Sequence, residues 1–198
     1  MSIKVGVLSL QGAFKEHIDR IKECGESAVE IRFPQQVEDI EGIIIPGGES
    51  TTINKLLEKY KFKEKLDKFY KDGKPIFGTC AGLILISRNI KGEGKGLGYI
   101  NIDVQRNAYG RQIDSFEQLI RISLDGHQNG RKFKSVFIRA PRILSIGKKV
   151  KVLGKFGQDM VLVQDGNVIA STFHPELTSD LRIHRYFLNM IKNNKGES

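Results

Sequence analysis

Up to about residue 90, short apolar runs alternate with segments of helical period, and this alternation restricts the fold more than any other feature of the chain. Residues 3–10 (IKVGVLSL) read as a strand ending at Gln11-Gly12. In FKEHIDRIKECG, Phe14, His17, Ile18 and Ile21 fall on one helical face, and Gly25 is a stop signal. AVEIRF is a second strand closed by Pro34, and GIIIPGGES a third that ends in Pro-Gly-Gly. Ser50 is placed to cap the helix TTINKLLEKY. FKEKLDKFYKDG carries the helical rhythm to Gly73, PIFGT is a fourth strand, and AGLILIS opens another helix. Strands joined through helices in this way form a largely parallel sheet with helices on both faces. The turns QGA, PGGES and GTCAG all fall at carboxyl ends of strands, where such sheets bind ligands, so three separated turns are expected to converge on one crevice.

The second half changes character. YINIDVQ, FEQLIRIS, KSVFIRA, KVKVLGKF and DMVLVQ are short strands at turn-like spacings. VLVQDGNVIAST is a hairpin signal, because Asp165-Gly166 suits a tight primed turn. LRIHRYFLNMIKNN reads as a closing amphipathic helix and NKGES as a frayed tail. The expected fold class is α/β: a three-layer, flavodoxin-like, open and mostly parallel sheet with helices on both faces, extended by antiparallel strands in the second half. The 198 residues are expected to form one domain spanning 1–198, since halves of that length would have small cores.

Composition excludes several classes. The net charge is +9, but the lysines are interleaved with glutamates, as in KLLEKYKFKEKLDKFYKDGK, and no basic stripe carries regular aromatics. A solvated helical surface fits this better than a nucleic-acid face; an acidic protein partner is intermediate. No run approaches the roughly 18 apolar residues of a membrane span. MSIKVGVLSLQG reads as a first strand rather than a leader, and a cytoplasmic location is expected. Cys24 and Cys80 make no disulfide framework, and His17, His127, His174 and His184 show no close ligand spacing with cysteine, so no metal is expected. The glycine-rich KGEGKGLG follows a helix and lacks the spacing of phosphate loops; it reads as a flexible surface connection.

Cys80 lies in G-T-C-A-G, between a strand and a helix, with Gly78 and Gly82 two residues to either side. The pattern parallels the G-x-S-x-G nucleophile elbow with sulfur in place of oxygen. Helix-terminal dipoles at such a turn favour negative charge on sulfur, and the Ala81 N–H could hold an oxyanion. The alternative is a small buried cysteine in a tight turn. A thiol nucleophile needs a base, and the base an orienter. His174 follows an apolar strand end in IASTFHPELTSD, and Glu176 is near enough to take its Nδ1–H if the turn folds back. His17 and His184 sit on amphipathic helices as packing or surface residues, His127 at a loop tip, and Cys24 is structural. Gly47-Gly48, after the third strand, let backbone approach a substrate closely and offer a second oxyanion donor; an ordinary turn is the alternative.

Gly78-Thr79-Cys80-Ala81-Gly82 with His174-Pro175-Glu176 far downstream resembles the class I (triad) glutamine amidotransferases. SLQGAFKEHI, IPGGESTT, FGTCAGLILIS, QRNAYGRQIDSFE, FIRAP and STFHPELTSD narrow the resemblance to the glutaminase subunits of pyridoxal 5′-phosphate synthases, the Pdx2/PdxT family, and span the chain from Leu8 to Asp180. The resemblance implies hydrolysis of L-glutamine to glutamate and ammonia, with Cys80 as nucleophile, His174 as acid and base, and Glu176 orienting it. It implies an oxyanion hole of backbone N–H groups from Gly47, Gly48 and Ala81. Substrate contacts are implied at Gly47, Gly48, Glu49, Arg106, Ile138 and Arg139; an arginine suits an α-carboxylate. The implied partner is a synthase subunit of the PdxS/Pdx1 type, a (β/α)₈ barrel that receives the ammonia. Pyridoxal phosphate is then a product of the complex and not a cofactor of this chain. Gln11 stands close enough to the expected crevice to take part in coupling to that partner. The competing readings are a stand-alone γ-glutamyl thiol hydrolase and a non-catalytic binding subunit.

Overall fold

The computed structural model describes residues 3–108, 115–124, 127–128 and 132–196. Its first half follows the expected alternation: β1 (Lys4–Leu8), α1 (Phe14–Glu23), β2 (Ser27–Ile31), a 3₁₀ turn (Pro34–Asp39), β3 (Gly42–Ile45), α2 (Ser50–Lys59), α3 (Phe62–Lys71), β4 (Ile76–Thr79) and α4 (Ala81–Ile86). The helical rhythm beyond Ser50 is broken into two helices, because Lys61 adopts a left-handed φ of 57°. Ser50 is the first residue of α2 and not its cap. Glu49 caps it, accepting from the Thr51 and Thr52 N–H groups, and its negative charge also complements the helix dipole.

The second half comprises β5 (Ser87–Ile90), β6 (Gly94–Lys95), β7 (Ile100–Gln105), β8 (Ser115–Leu124), β9 (His127–Gln128), β10 (Phe133–Ile138), β11 (Arg142–Ile146), β12 (Lys151–Phe156), β13 (Asp159–Asp165) and β14 (Val168–Ser171). A 3₁₀ turn (Pro175–Leu177) and α5 (Arg182–Gly196) follow. The main sheet has the order β10-β8-β12-β13-β14-β4-β3-β1-β2, with β9 beside β8. From β14 to β2 every pairing is parallel; from β14 to β10 every pairing is antiparallel. The expected parallel sheet with an antiparallel extension is therefore found, and β13 turns into β14 through the Asp165-Gly166 hairpin, where Gly166 has φ 54°.

Several local expectations are corrected. Residues 87–105 and 142–146 form a second sheet, β11-β7-β5-β6, because α4 has only 6 residues and the chain leaves it directly as a strand. The glycine-rich stretch supplies β6 of that sheet. His127 is paired with Leu124 and is not a free loop tip; residues 125–126 and 129–131 around it, and 109–114 of the RNAYGRQ motif, lie outside the described residues. The last helix reaches Gly196, with Asn194 Nδ2 donating to the Gly73 carbonyl at 2.7 Å, so it continues into the segment expected to fray. No helix among the described residues is long and apolar enough to cross a membrane.

Alternate residues of the parallel strands feed two cores. Ile43, Ile45, Ile76, Val168 and Ala170 pack with α2, α3, α4 and the second sheet. Val5, Val7, Ile44, Phe77 and Ile169 pack with α1 and α5. The two-residue period of the strands thus puts helices on both faces, and each fully buried aliphatic or aromatic side chain contributes about 1.5–3 kcal/mol relative to exposure. What this framework does for function is to hold the ends of β1, β3, β4 and β14 side by side.

Candidate active site

β4 lies between β3 and β14, and Cys80 follows it directly. The backbone turns at Cys80 with φ 49° and ψ −103°, a conformation that costs a non-glycine residue on the order of 1–3 kcal/mol. The flanking glycines are required by space. A Cβ on Gly82 would run into the Ile45 carbonyl oxygen of β3, and one on Gly78 would come within 2.6 Å of Ile86 and 2.9 Å of the Gly82 backbone. The elbow expected from G-T-C-A-G is therefore present as geometry.

The parallel register Ser171↔Thr79 carries the chain from β14 to His174 beside that elbow. His174 is fixed by its own N–H, which donates to the Val136 carbonyl of β10 at 2.8 Å. The turn at Pro175 folds Glu176 back so that Oε1 accepts from His174 Nδ1 at 2.7 Å. A carboxylate can only accept, so Nδ1 carries the hydrogen and Nε2 is left for another partner. Burial works to raise the Glu176 pKa, but His17 and His174 beside it prevail and hold it below the usual carboxylate value. Burial likewise works to lower that of His174; its contacts with Cys80 and Glu176 outweigh this and lift it to about 10. A Cβ on Gly47 would strike the His174 ring and lie 3.3 Å from Cys80 Cβ, so the three residues crowd one point. Cys80 Sγ also lies 3.6 Å from the Ile138 carbonyl oxygen.

At the glycine turn the Gly47 carbonyl accepts from Ala13 N–H at 3.1 Å, while Gly47 N–H donates to Thr79 Oγ1 at 3.1 Å. The Gly47 N–H is thus directed at Thr79. The Ala81 N–H, at the start of α4, has no intrahelical acceptor. Gln11 Oε1 accepts from Glu49 N–H at 2.8 Å and lies so close to Gly48 that a Cβ there would collide with it.

A cleft of about 550 Å³ opens over these groups, with Gly48, Ala81, Cys80 and His174 in its wall. Glu49, Arg106, Ile138 and Arg139 line it as well; Gln11, Gly47 and Glu176 support it from behind. Arg106 follows β7 of the second sheet. Its Nη2 donates to Glu49 Oε1 at 3.0 Å, and its Nη1 donates to Glu93 Oε2 at 3.1 Å and Thr51 Oγ1 at 2.9 Å. The Thr52 hydroxyl, with the helix N–H groups, pushes the Glu49 carboxyl down to about 2. Ile138 ends β10, and Arg139 follows it with φ 44°. Sequence reasoning missed Thr79, Glu93 and the polar role of His17. The one available signal was a histidine on the apolar face of the helix that follows the QGA turn.

A family model described as the SNO glutamine amidotransferase family matches residues 7–193. A pyridoxal 5′-phosphate synthase subunit PdxT from Pelotomaculum thermopropionicum is 52% identical over 94% of this chain and 94% of its own length. The protein of the same name from Thermotoga maritima is 46% identical over 96% of this chain and 100% of its own. A crystal structure titled glutamine amidotransferase superposes with a TM-score of 0.88 at 44% identity, covering 95% of this chain and 98% of the other.

Proposed function

This chain belongs to the SNO glutamine amidotransferase family, and from that membership we propose that it hydrolyses L-glutamine and hands the ammonia to a synthase subunit that makes pyridoxal 5′-phosphate. The relatives named above are subunits of that synthase. The observation that carries the reading is a cysteine at a strained elbow, sharing one point of a cleft with an imidazole whose other nitrogen is held by a buried carboxylate.

In the proposed reaction His174, kept protonated at neutral pH by its raised pKa, already holds the proton of the Cys80–His174 pair, and Cys80 Sγ attacks the side-chain carboxamide carbon. The tetrahedral oxyanion is held by backbone N–H groups of Ala81 and the Gly47-Gly48 turn. His174 then protonates the departing nitrogen, the C–N bond breaks, ammonia leaves and a thioester remains. Water, deprotonated by the now neutral His174, cleaves the thioester to glutamate and frees the sulfur, which restores the starting pair with the proton on His174. Glu176 keeps the imidazole in the tautomer this needs and favours its charged form. Glu49, Arg106, Ile138 and Arg139 form the substrate wall, with arginine for the α-carboxylate. The whole of 1–198 acts as one such domain, and its working compartment is the cytoplasm.

The partner we infer is a (β/α)₈ barrel of the PdxS/Pdx1 type, and its docking switches the site on. The Gly47-Gly48 peptide is tied to Ala13, and Gln11 is packed against it. Displacing that loop frees the peptide to rotate at the cost of about one hydrogen bond, roughly 1 kcal/mol. Ammonia release from glutamine by wild type and Cys80→Ala, each with and without the synthase subunit, tests the reading. Weak release alone, a large gain with the partner, and a loss of at least about 10⁴-fold in the variant are expected. Turnover surviving in Cys80→Ala would end the assignment; equal turnover with and without partner would end the switch.

A further inference from the structure

Behind Cys80, His174 and Glu176 runs a buried polar chain that the proposed reaction does not use. His17 on α1 and His184 on α5 are both fully buried. Their rings meet through His17 Nδ1 and His184 Nε2, 3.0 Å apart. His17 Nε2 lies 3.2 Å from Thr79 Oγ1 and 3.3 Å from Glu176 Oε2. That oxygen is buried and has no aligned hydrogen-bond donor among the described residues, so His17 is its electrostatic partner.

Proton positions follow from these contacts. A ring nitrogen 3.3 Å from a buried carboxylate oxygen must carry hydrogen, because a lone pair there would repel the charge. His17 Nδ1 then accepts from His184 Nε2–H. The atom left without a partner is His184 Nδ1, an empty acceptor and not a stranded N–H, which is the less costly orphan. Burial holds both rings below the usual histidine value, so both are neutral. Neutral His17 can thus steady the Glu176 carboxylate without competing with His174 for the charge.

We propose that His17 is a positioning residue of this site: braced by His184, it donates Nε2–H to Thr79 Oγ1 and holds that same polar N–H 3.3 Å from Glu176 Oε2 as the carboxylate's electrostatic partner. One imidazole thereby fixes the carboxylate that orients His174 and, through Thr79, the Gly47 N–H at the edge of the cleft. α1 starts at Phe14, directly after the loop that packs on Gly47, so the same helix links the glycine turn to the carboxylate. The inference rests on the glutaminase reading and extends it by one residue.

The test measures kcat and KM for glutamine with the synthase subunit bound, for wild type, His17→Met, His17→Gln and His17→Asn. Glutamine places an N–H where imidazole Nε2–H stands; asparagine is polar but one methylene short; methionine fills the space without a donor. His17→Met and His17→Asn are expected to lose about ten- to a hundredfold in kcat, on the scale of one close polar contact to a buried charged group, with KM within about threefold of wild type. His17→Gln is expected to recover most of the loss. Asparagine and glutamine variants with equal kcat, or a folded methionine variant with wild-type kcat, would overturn the inference while leaving the glutaminase reading intact. A wild type that releases no ammonia with its partner would overturn both.

Discussion

Two carboxylates stand at the cleft, Glu49 in its wall and Glu176 behind it. Glu176 has a fully buried side chain held between His174 and His17; Glu49 has a side chain 49% exposed and shares Arg106 with Glu93. Each has opposite charge or N–H donors close by, and each is held below its ordinary pKa. They differ in what surrounds the contacts. Glu176 is buried away from solvent, so removing a partner leaves a buried group uncompensated. Around Glu49 solvent screens the ion pairs, and most such pairs contribute little. The same chemistry therefore stands in two settings, one buried and fixed by its partners and one open to solvent.

The sharpest way to break this contrast is to neutralise each carboxylate in turn. Glu176→Gln is expected to lower kcat about 10³–10⁴-fold, by analogy with orienting carboxylates of other nucleophile triads, while Glu49→Gln acts chiefly on KM and by less than about tenfold. Ammonia release with the synthase subunit present measures both, and comparable losses in kcat would abolish the distinction. Next in size is Gly47→Ala, whose new methyl would strike the His174 ring. It should cost about a hundredfold in kcat, on the scale of losing an oxyanion donor, with a melting temperature close to wild type. A smaller effect is expected at the exposed wall: raising salt from about 0.05 to 0.5 M should raise KM a few-fold and leave kcat unchanged, since screening reaches only the Arg106 cluster.

The smallest effect is on stability against pH. His17 and His184 are held neutral by burial, so the unfolded chain takes up protons that the folded chain refuses once the pH falls through about 6.5. His174 has the opposite sign: its pKa is raised to about 10, so its contribution is complete below 6.5 and is lost as the pH rises through about 10. Glu176, held low, loses its contribution only as the pH falls below the carboxylate range near 4.5. Thermal unfolding should therefore show a maximum between these limits and a fall of a few degrees from pH 7 to 5. His184→Leu, which removes one buried imidazole, should flatten the acid side. An unchanged slope would mean that the histidine pair carries no part of it.

Where sequence and structure agree, the determinants are local. The elbow needs small residues two positions either side of Cys80, and Asp165-Gly166 specifies its own hairpin; both are written in a few consecutive residues. Where they diverge, the determinants are tertiary. Periodicity told that His17 faces the apolar side of α1, but its partners Thr79, Glu176 and His184 are 62, 159 and 167 positions away, and helical spacing says nothing about such neighbours. The second sheet was hidden for a related reason: its strands interrupt the helical signal after only six residues of α4. Glu49 was named for substrate, and its capping of α2 was overlooked because Ser50 is the more usual cap.

One consequence follows from the pairing of β4 with β14. These neighbours are joined edge to edge although some ninety positions separate Thr79 from Ser171 along the chain. A polypeptide still emerging from the ribosome would carry Cys80 well before His174 had been made, so the cleft that joins them forms only once β14 has paired with β4. On the proposed reaction, a product cut short ahead of His174 would lack its acid and base and should release no ammonia.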